Sequence, residues 1–384
     1  MKDKVISNVP LIIGMILVVL LIVLPTGYED AVIYQGTDRT KAVVLATDES
    51  RIISSGLIKS GEQTCKIRLL GGKFKGREVE GYNLLSGSLE SDKIFAEGDT
   101  AQVVISYLED EILSVNIIDH YRVDKEVLLI GIFAVLLIGF AGKKGLMAIL
   151  SFVIAILMIW KVLIPCTLNG YNAILVGLGV VVVLTLVIIT FVFGLGRQCL
   201  SAVLGSMLGI ITTCILGIIF TDAFKIHGAV MSYSESLLYA GYQHLNLTTI
   251  FMSSIFIGAS GAVMDIAVDI TSAIHEVVEK KPDISWKEAT KSGFNVGRAA
   301  MGTMTTTLLL AYSGGYLALL MVFMAQGTPI YNILNYKYVS AEILDTIVGS
   351  IGLVTVAPFT ALTSGLLLTK GKKVHLQRLK DPGE

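Results

Sequence analysis

Asp265 and Asp269 stand in an apolar stretch that runs from about Thr248 to His275. A carboxylate in hydrocarbon is costly to keep, so each is a functional-site candidate by default. With about 1.5 Å of rise per residue and a centre near Gly261, Asp265 falls about 5 Å inward of the bilayer midplane and Asp269 about 11 Å. Both lie within a half-thickness of about 15 Å. Gly258, Gly261, Asp265, Asp269 and Ser272 follow a 3–4 spacing and so share one helical face. Small residues there let another helix come close, and a carboxylate on that face is a candidate proton carrier or ligand. The competing reading is that both acids cap or hydrogen-bond neighbouring helices and never titrate.

The next apolar stretch supplies a facing surface. Arg298 stands at its start, followed by Gly302, Thr303, Thr306 and Leu310 at helical spacing, with Thr305 and Thr307 beside them. These hydroxyls either donate to the Asp pair, line a wet path, or bond back to their own i−4 carbonyls. Arg298 reads first as a positive-inside anchor and second as an ion-pair partner. Lys161, near the outer end of the third apolar segment, is expected to snorkel toward the interface. Ser201, Gly205, Gly209, Thr213 and Gly217 recur every four residues, a small-xxx-small stripe suited to close helix packing. Asp345, at the outer edge of the last segment, is expected to be solvated.

Other chemistries find no residues. His227, His244 and His275 share no ligand spacing, and the four cysteines form no CxxC pair. Neither a metal site nor a disulfide framework is expected. Nucleophile-elbow, P-loop and dinucleotide fingerprints are absent. The chain is therefore read as a non-enzyme without a cofactor.

The elements that must hold these residues are membrane helices. Of 384 residues, 53% are apolar and 16% charged, against roughly 45–50% and about 25% in soluble domains. Mean hydropathy is +0.73. A net charge of −1 offers no polycationic footprint for nucleic acid. Spans of about 20 apolar residues are expected at Val5–Tyr28, Asn172–Gly196, Gln198–Thr221, Leu245–Met264 and Thr346–Thr369. Val127–Gly142 and Gly145–Trp160 form a hairpin around Lys143-Lys144. The long run from Ala299 is split at Gly314-Gly315 into one crossing and a short re-entrant or interfacial piece, Tyr316–Gln326. The count is eight transmembrane helices. With residue 1 in the cytoplasm, the inside segments carry fifteen Lys and Arg and the short outside segments two, a positive-inside bias that puts both termini in the cytoplasm. The first span reads as an uncleaved anchor, because no small-x-small site precedes Asp30.

Residues 30–123 read as one extracytoplasmic domain. Apolar residues alternate over Lys41–Thr47, Thr64–Leu70, Arg77–Tyr82, Ala101–Leu108 and Ile112–Ile118, which predicts five strands. Breakers are expected at Ser60-Gly61, Gly71-Gly72, Gly98-Asp99 and Glu109-Asp110-Glu111. Five short strands suggest a small all-β, OB-like barrel. The whole is then an all-α polytopic membrane protein with that domain after its first helix: an anchor (1–29), the β domain (30–123), a seven-helix membrane domain (124–370) and a basic cytoplasmic tail (371–384).

Several stretches resemble the YibE/YibF family of bacterial membrane proteins. They are Gly258-Ala259-Ser260-Gly261-Ala262-Val263-Met264-Asp265, the run from Gly297-Arg298 through Thr303-Met304-Thr305-Thr306-Thr307 to Tyr312, Lys161-Val162-Leu163-Ile164-Pro165 and Gly349-Ser350-Ile351-Gly352. The resemblance covers most of the chain, and the outer domain suggests the longer, YibE-like type. The family pattern has an acidic residue after the Gly-Arg pair and an Asn within the Thr run, where this sequence has Ala299 and Thr306. A second similarity, at the level of the fold, is to SecD/SecF and the wider RND-type membrane units, which couple proton flow to export; carried over, Asp265 is the proton site.

The function expected on these grounds is secondary transport or assistance to export, coupled to protons through Asp265 with Asp269 as relay. The alternative is a non-transporting envelope scaffold that recruits partners through the outer domain. Expected partners are the lipid bilayer, a small solute or exported substrate, and a second membrane subunit or a second copy of the chain, with no nucleic acid.

Overall fold

Alternation of apolar and polar side chains over residues 37–120 makes strands, and uninterrupted apolar runs elsewhere make helices. A computed structural model of the chain describes residues 9–29 and 36–380, with side chains up to residue 370. The start of the first expected span and its basic leader, residues 1–8, lie outside the described residues, as do 30–35 and the end of the tail. The chain divides into two units: Met1–Tyr28 with Phe140–Glu384, and Glu29–Gly139.

The second unit holds five strands, β1 (Thr37–Ser55), β2 (Ile58–Leu69), β3 (Glu78–Ser86), β4 (Thr100–Leu108) and β5 (Glu111–His120). They close into a barrel in the order β1-β2-β3-β5-β4. β3 and β5 meet in parallel at Tyr82 and Asn116, while the other pairings are antiparallel. Every second residue points inward: Ala42 and Val44, Cys65, Ile67 and Leu69, Val103 and Ile105, Val115 and Ile117 fill the interior with Phe74 and Phe95. Burial pushes the Cys65 thiol up to about 11.

All five expected strands are present, and one expected breaker is corrected. The β1–β2 turn is Gly56-Leu57, with Gly56 at φ +64°, the two-residue hairpin with glycine first. Ser60 and Gly61 lie inside β2, opposite Ile53 and Ile52. Gly61 has φ +116°, and a Cβ there would run into the Arg51 carbonyl. It pairs with Ile52, just beyond the irregular stretch of β1 between Asp48 and Arg51, so it is a glycine of close backbone approach rather than of a turn.

A buried amide pins the 87–99 loop to the barrel. Gln63 donates to the Phe95 carbonyl (2.8 Å) and accepts from the Phe95 N–H (3.0 Å). Asn83 donates to Gln63 (3.1 Å) and to the Lys93 carbonyl (2.7 Å). Gln63→Leu leaves two buried backbone groups unpaired, which costs roughly 1–3 kcal/mol each. The expected result is that Cys65, protected in the parent, alkylates at lower urea concentration in the variant, read by mass spectrometry on the full-length chain.

The apolar helices are α1 (Val9–Val23), α2 (Val123–Ala141), α3 (Lys143–Leu168), α4 (Ala173–Phe193), α5 (Arg197–Ala223), α6 (Ser234–Tyr239), α7 (Leu247–Lys280), α8 (Trp286–Ser313), α9 (Leu317–Ala325), α10 (Ile330–Leu334) and α11 (Lys337–Lys380). Among the described residues, six of these stretches are long and apolar enough to cross a membrane: α3, α4, α5, α7, α8 through α9, and α11. The described part of α1, from Val9, is shorter. α2 opens on Asp124, Lys125 and Glu126 and buries none of its residues. This is a multi-pass membrane protein. The expected break at Gly314-Gly315 is a single 3₁₀ turn, Gly314–Tyr316, through which the helix runs on from Trp286 to Ala325 over 40 residues.

α5, α7, α8 and α11 enclose the core. Val263, Ile266, Ala267, Ile270 and Ile274 of α7 pack with Leu353, Val356, Ala357 and Ala361 of α11 and Ile210 of α5. The small-residue stripe is the contact surface of α5: Ser201, Gly205, Gly209, Thr213 and Gly217 are all buried. Gly205 abuts Thr360, and Gly209 abuts Val356 and Val263.

Candidate functional site

α7 begins at Leu247, where Asn246 caps it by accepting from the Thr249 N–H (3.1 Å). Its apolar residues turn inward, which leaves one face open. Ser254, Gly258, Gly261, Asp265, Asp269 and Ser272 are exposed along that face, at the expected 3–4 spacing. No hydrogen bond or ion pair reaches the carboxylates of Asp265 or Asp269 from the described residues. The two acids therefore sit on a polar strip of an otherwise apolar helix, without cap or counter-ion among the described residues.

The threonines of α8 do not meet them. Thr303 donates to the Ala300 carbonyl (3.1 Å), Thr305 to Met301 (2.9 Å) and Thr307 to Thr303 (3.0 Å). Each hydroxyl is satisfied within its own helix. Thr306 is exposed. Gly297, just before Arg298, packs on α7 and α11: a Cβ there would stand 3.1 Å from Ile270 Cδ1 and 2.9 Å from Ala357 Cβ. Arg298 itself is exposed and makes no ion pair among the described residues. Gly302 and Gly261 face open space.

Lys161 makes a contact that its sequence position did not reveal. Its ammonium donates to the Leu24 carbonyl (3.1 Å), one residue past α1. A cation on a helix C-terminal carbonyl is favourable, so Lys161 ties α1 to α3. It stands in a π turn, where the Ile164 N–H bonds to the carbonyl of Ile159 just before Pro165, which has no N–H to give.

Sequence reasoning missed a second acidic place. Asp345, expected to be solvated, is half-buried in α11; its Oδ1 and the Oε1 of Glu342 are shielded and lack a hydrogen-bond partner. Tyr312 and Tyr316 are within electrostatic reach of both carboxylates. Tyr312 also links this place to the open face of α7, since a Cβ at Gly258 would stand 2.6 Å from its hydroxyl. The signal available for each pair was helical spacing, Tyr312 with Tyr316 at i, i+4 and Glu342 with Asp345 at i, i+3. Nothing in the sequence brought the pairs together. Among the described residues no three His, Cys, Asp or Glu gather as a metal site.

With that geometry in place, a family model decides the lineage: the one described as YibE/F-like protein matches residues 129–370. The chain belongs to that family. The YibE/F-like match takes in α3 to α10, with α2 from Leu129 and α11 as far as Lys370, and so includes both acidic places. The barrel lies outside it. No curated protein and no solved structure matches the chain.

Proposed function

We propose that this YibE/F-like protein is a secondary transporter or export-assisting protein of the cell membrane in which Asp265 carries a proton and Asp269 relays it toward the cytoplasm. The observation that carries this reading is the pair of unpaired carboxylates on the open strip of α7. Ionisable groups within a membrane span are functional-site candidates by default. Tyr312, beside Gly258 and about 10 Å outward of Asp265 along the helix, leads on toward Asp345 and Glu342 and would continue the path. The proposed topology has eight crossings, with α1 and α2 added to the six long spans, both termini cytoplasmic, and an OB-like barrel outside. No enzymatic step is assigned. The test is ion flux in proteoliposomes with and without an imposed proton gradient, where flux that ignores the gradient overturns the coupling.

A second reading, a non-transporting envelope scaffold, draws on the barrel surface. Ile53, Leu57, Leu84 and Leu89 are 72%, 85%, 70% and 72% exposed, apolar side chains with which such a scaffold would hold a partner. Deleting residues 30–122 decides between the two readings. Loss of function on deletion, with Asp265 substitutions silent, selects the scaffold.

Topology is checked by single-cysteine labelling from outside the cell. Leu57→Cys, Tyr171→Cys and Tyr239→Cys are expected to react with an impermeant maleimide, whereas Asp283→Cys and Glu384→Cys react only after permeabilisation. Asp283→Cys reacting from outside would break the eight-crossing arrangement, because the α7–α8 segment carries five of the fifteen inside charges.

A further inference from the structure

The open strip of α7 is one part of a larger uncovered face. Beside it on α8, Arg298, Gly302, Thr306 and Leu309 are exposed as well. Hydrocarbon is a poor surrounding for two carboxylates and a guanidinium, while Gly261 and Gly302 offer the close approach that helix pairs in membranes use. The two helices are in register here: Gly297 packs on Ile270, so Arg298 and Asp269, each one residue along, lie at the same level. At that shared level one unpaired cation and one unpaired anion stand on adjacent helices of the same chain.

We propose that a second copy of this chain docks on the α7–α8 face about a two-fold axis along the membrane normal, so that Arg298 of each copy pairs with Asp269 of the other. A two-fold interface must be its own complement, and this face carries both signs. An axis along the normal keeps every residue at its own depth, which brings Arg298 opposite Asp269 without any vertical shift. Gly261 and Gly302 supply the room, since nothing lies within 4 Å of a Cβ built at either. The two Asp265 side chains then flank a shared groove closed off from lipid. The exposed face of α2, with Val127, Phe133 and Leu136, is purely apolar and has no such call on a partner. The inference requires that α7 and α8 cross the membrane and does not require transport, so the two readings fail separately.

The experiment uses the full chain in native membranes with Cys166→Ser, the other three cysteines being buried. Gly261→Cys is expected to give a disulfide-linked dimer on mild oxidation, and Phe133→Cys on α2 to give none. In the Gly261→Cys background, Arg298→Asp and Asp269→Arg should each cut the cross-linked fraction at least fivefold, and the double exchange should restore it. Should a single reversal fail to fold, Arg298→Gln and Asp269→Asn serve in its place, with a smaller loss expected. Absence of the Gly261→Cys cross-link overturns the proposal. So does cross-linking to a different protein, indifference to the charge variants, or a double exchange as poor as either single one; indifference would mean that Arg298 turns onto Asp269 of its own chain.

Discussion

Asp265→Asn is expected to lower proton-coupled activity by roughly a hundredfold or more, the range over which one positioned proton-transfer group acts, while the protein folds as before. The side chain is exposed on the open face of α7 and receives no hydrogen bond from the described residues, so its replacement removes no packing. A stability change within about 0.5 kcal/mol is expected, as for surface positions. Asp265→Leu should behave alike in both respects, which separates loss of a proton site from loss of structure. Infrared difference titration of the purified protein gives the direct reading: the parent should show a pH-dependent carboxyl component that Asp265→Asn lacks. An identical band in parent and variant removes Asp265 from the proton path and returns α7 to a packing role.

The second large effect concerns packing at the centre of the bundle. Gly205 of α5 lies so close to Thr360 of α11 that a Cβ would stand 2.7 Å from the Thr360 Cα. Backbone cannot yield there as the end of a flexible side chain would. Gly205→Ala is expected to cost ~1–3 kcal/mol as overpacking, and Gly205→Val more, seen as a lowered melting temperature in detergent. Gly179→Ala on α4 is the matching control. It adds the same methyl group where nothing lies within 4 Å, and it trades glycine for a better helix former. Equal losses at the two sites would mean that α5 and α11 do not meet along this stripe.

The sequence by itself determined a great deal of this protein. Hydrophobic run length is a one-dimensional property, so the spans of α3 to α5, α7, α8 and α11 were legible before any contact was known. Alternation is equally local, and it located all five strands of the barrel. Helical periodicity placed Gly258, Gly261, Asp265, Asp269 and Ser272 on one face, because a shared face depends only on spacing within one helix. The motifs around Asp265 and Arg298 carried the family.

What remained were relations between elements. Gly61 read as a turn because glycine marks both turns and close backbone approaches, and only the pairing of β2 with β1 tells them apart. The threonines of α8 were candidates for the Asp pair, and in the structure the hydroxyls of Thr303, Thr305 and Thr307 bond within their own helix. Lys161 carried no sign of the Leu24 carbonyl it holds, since that contact spans 137 residues. Asp345 looked solvated because it lies at the edge of an apolar run. Its burial beside Tyr312 and Tyr316 depends on which helix α11 packs against, and helix pairing in a membrane is set by surface shape rather than by hydropathy.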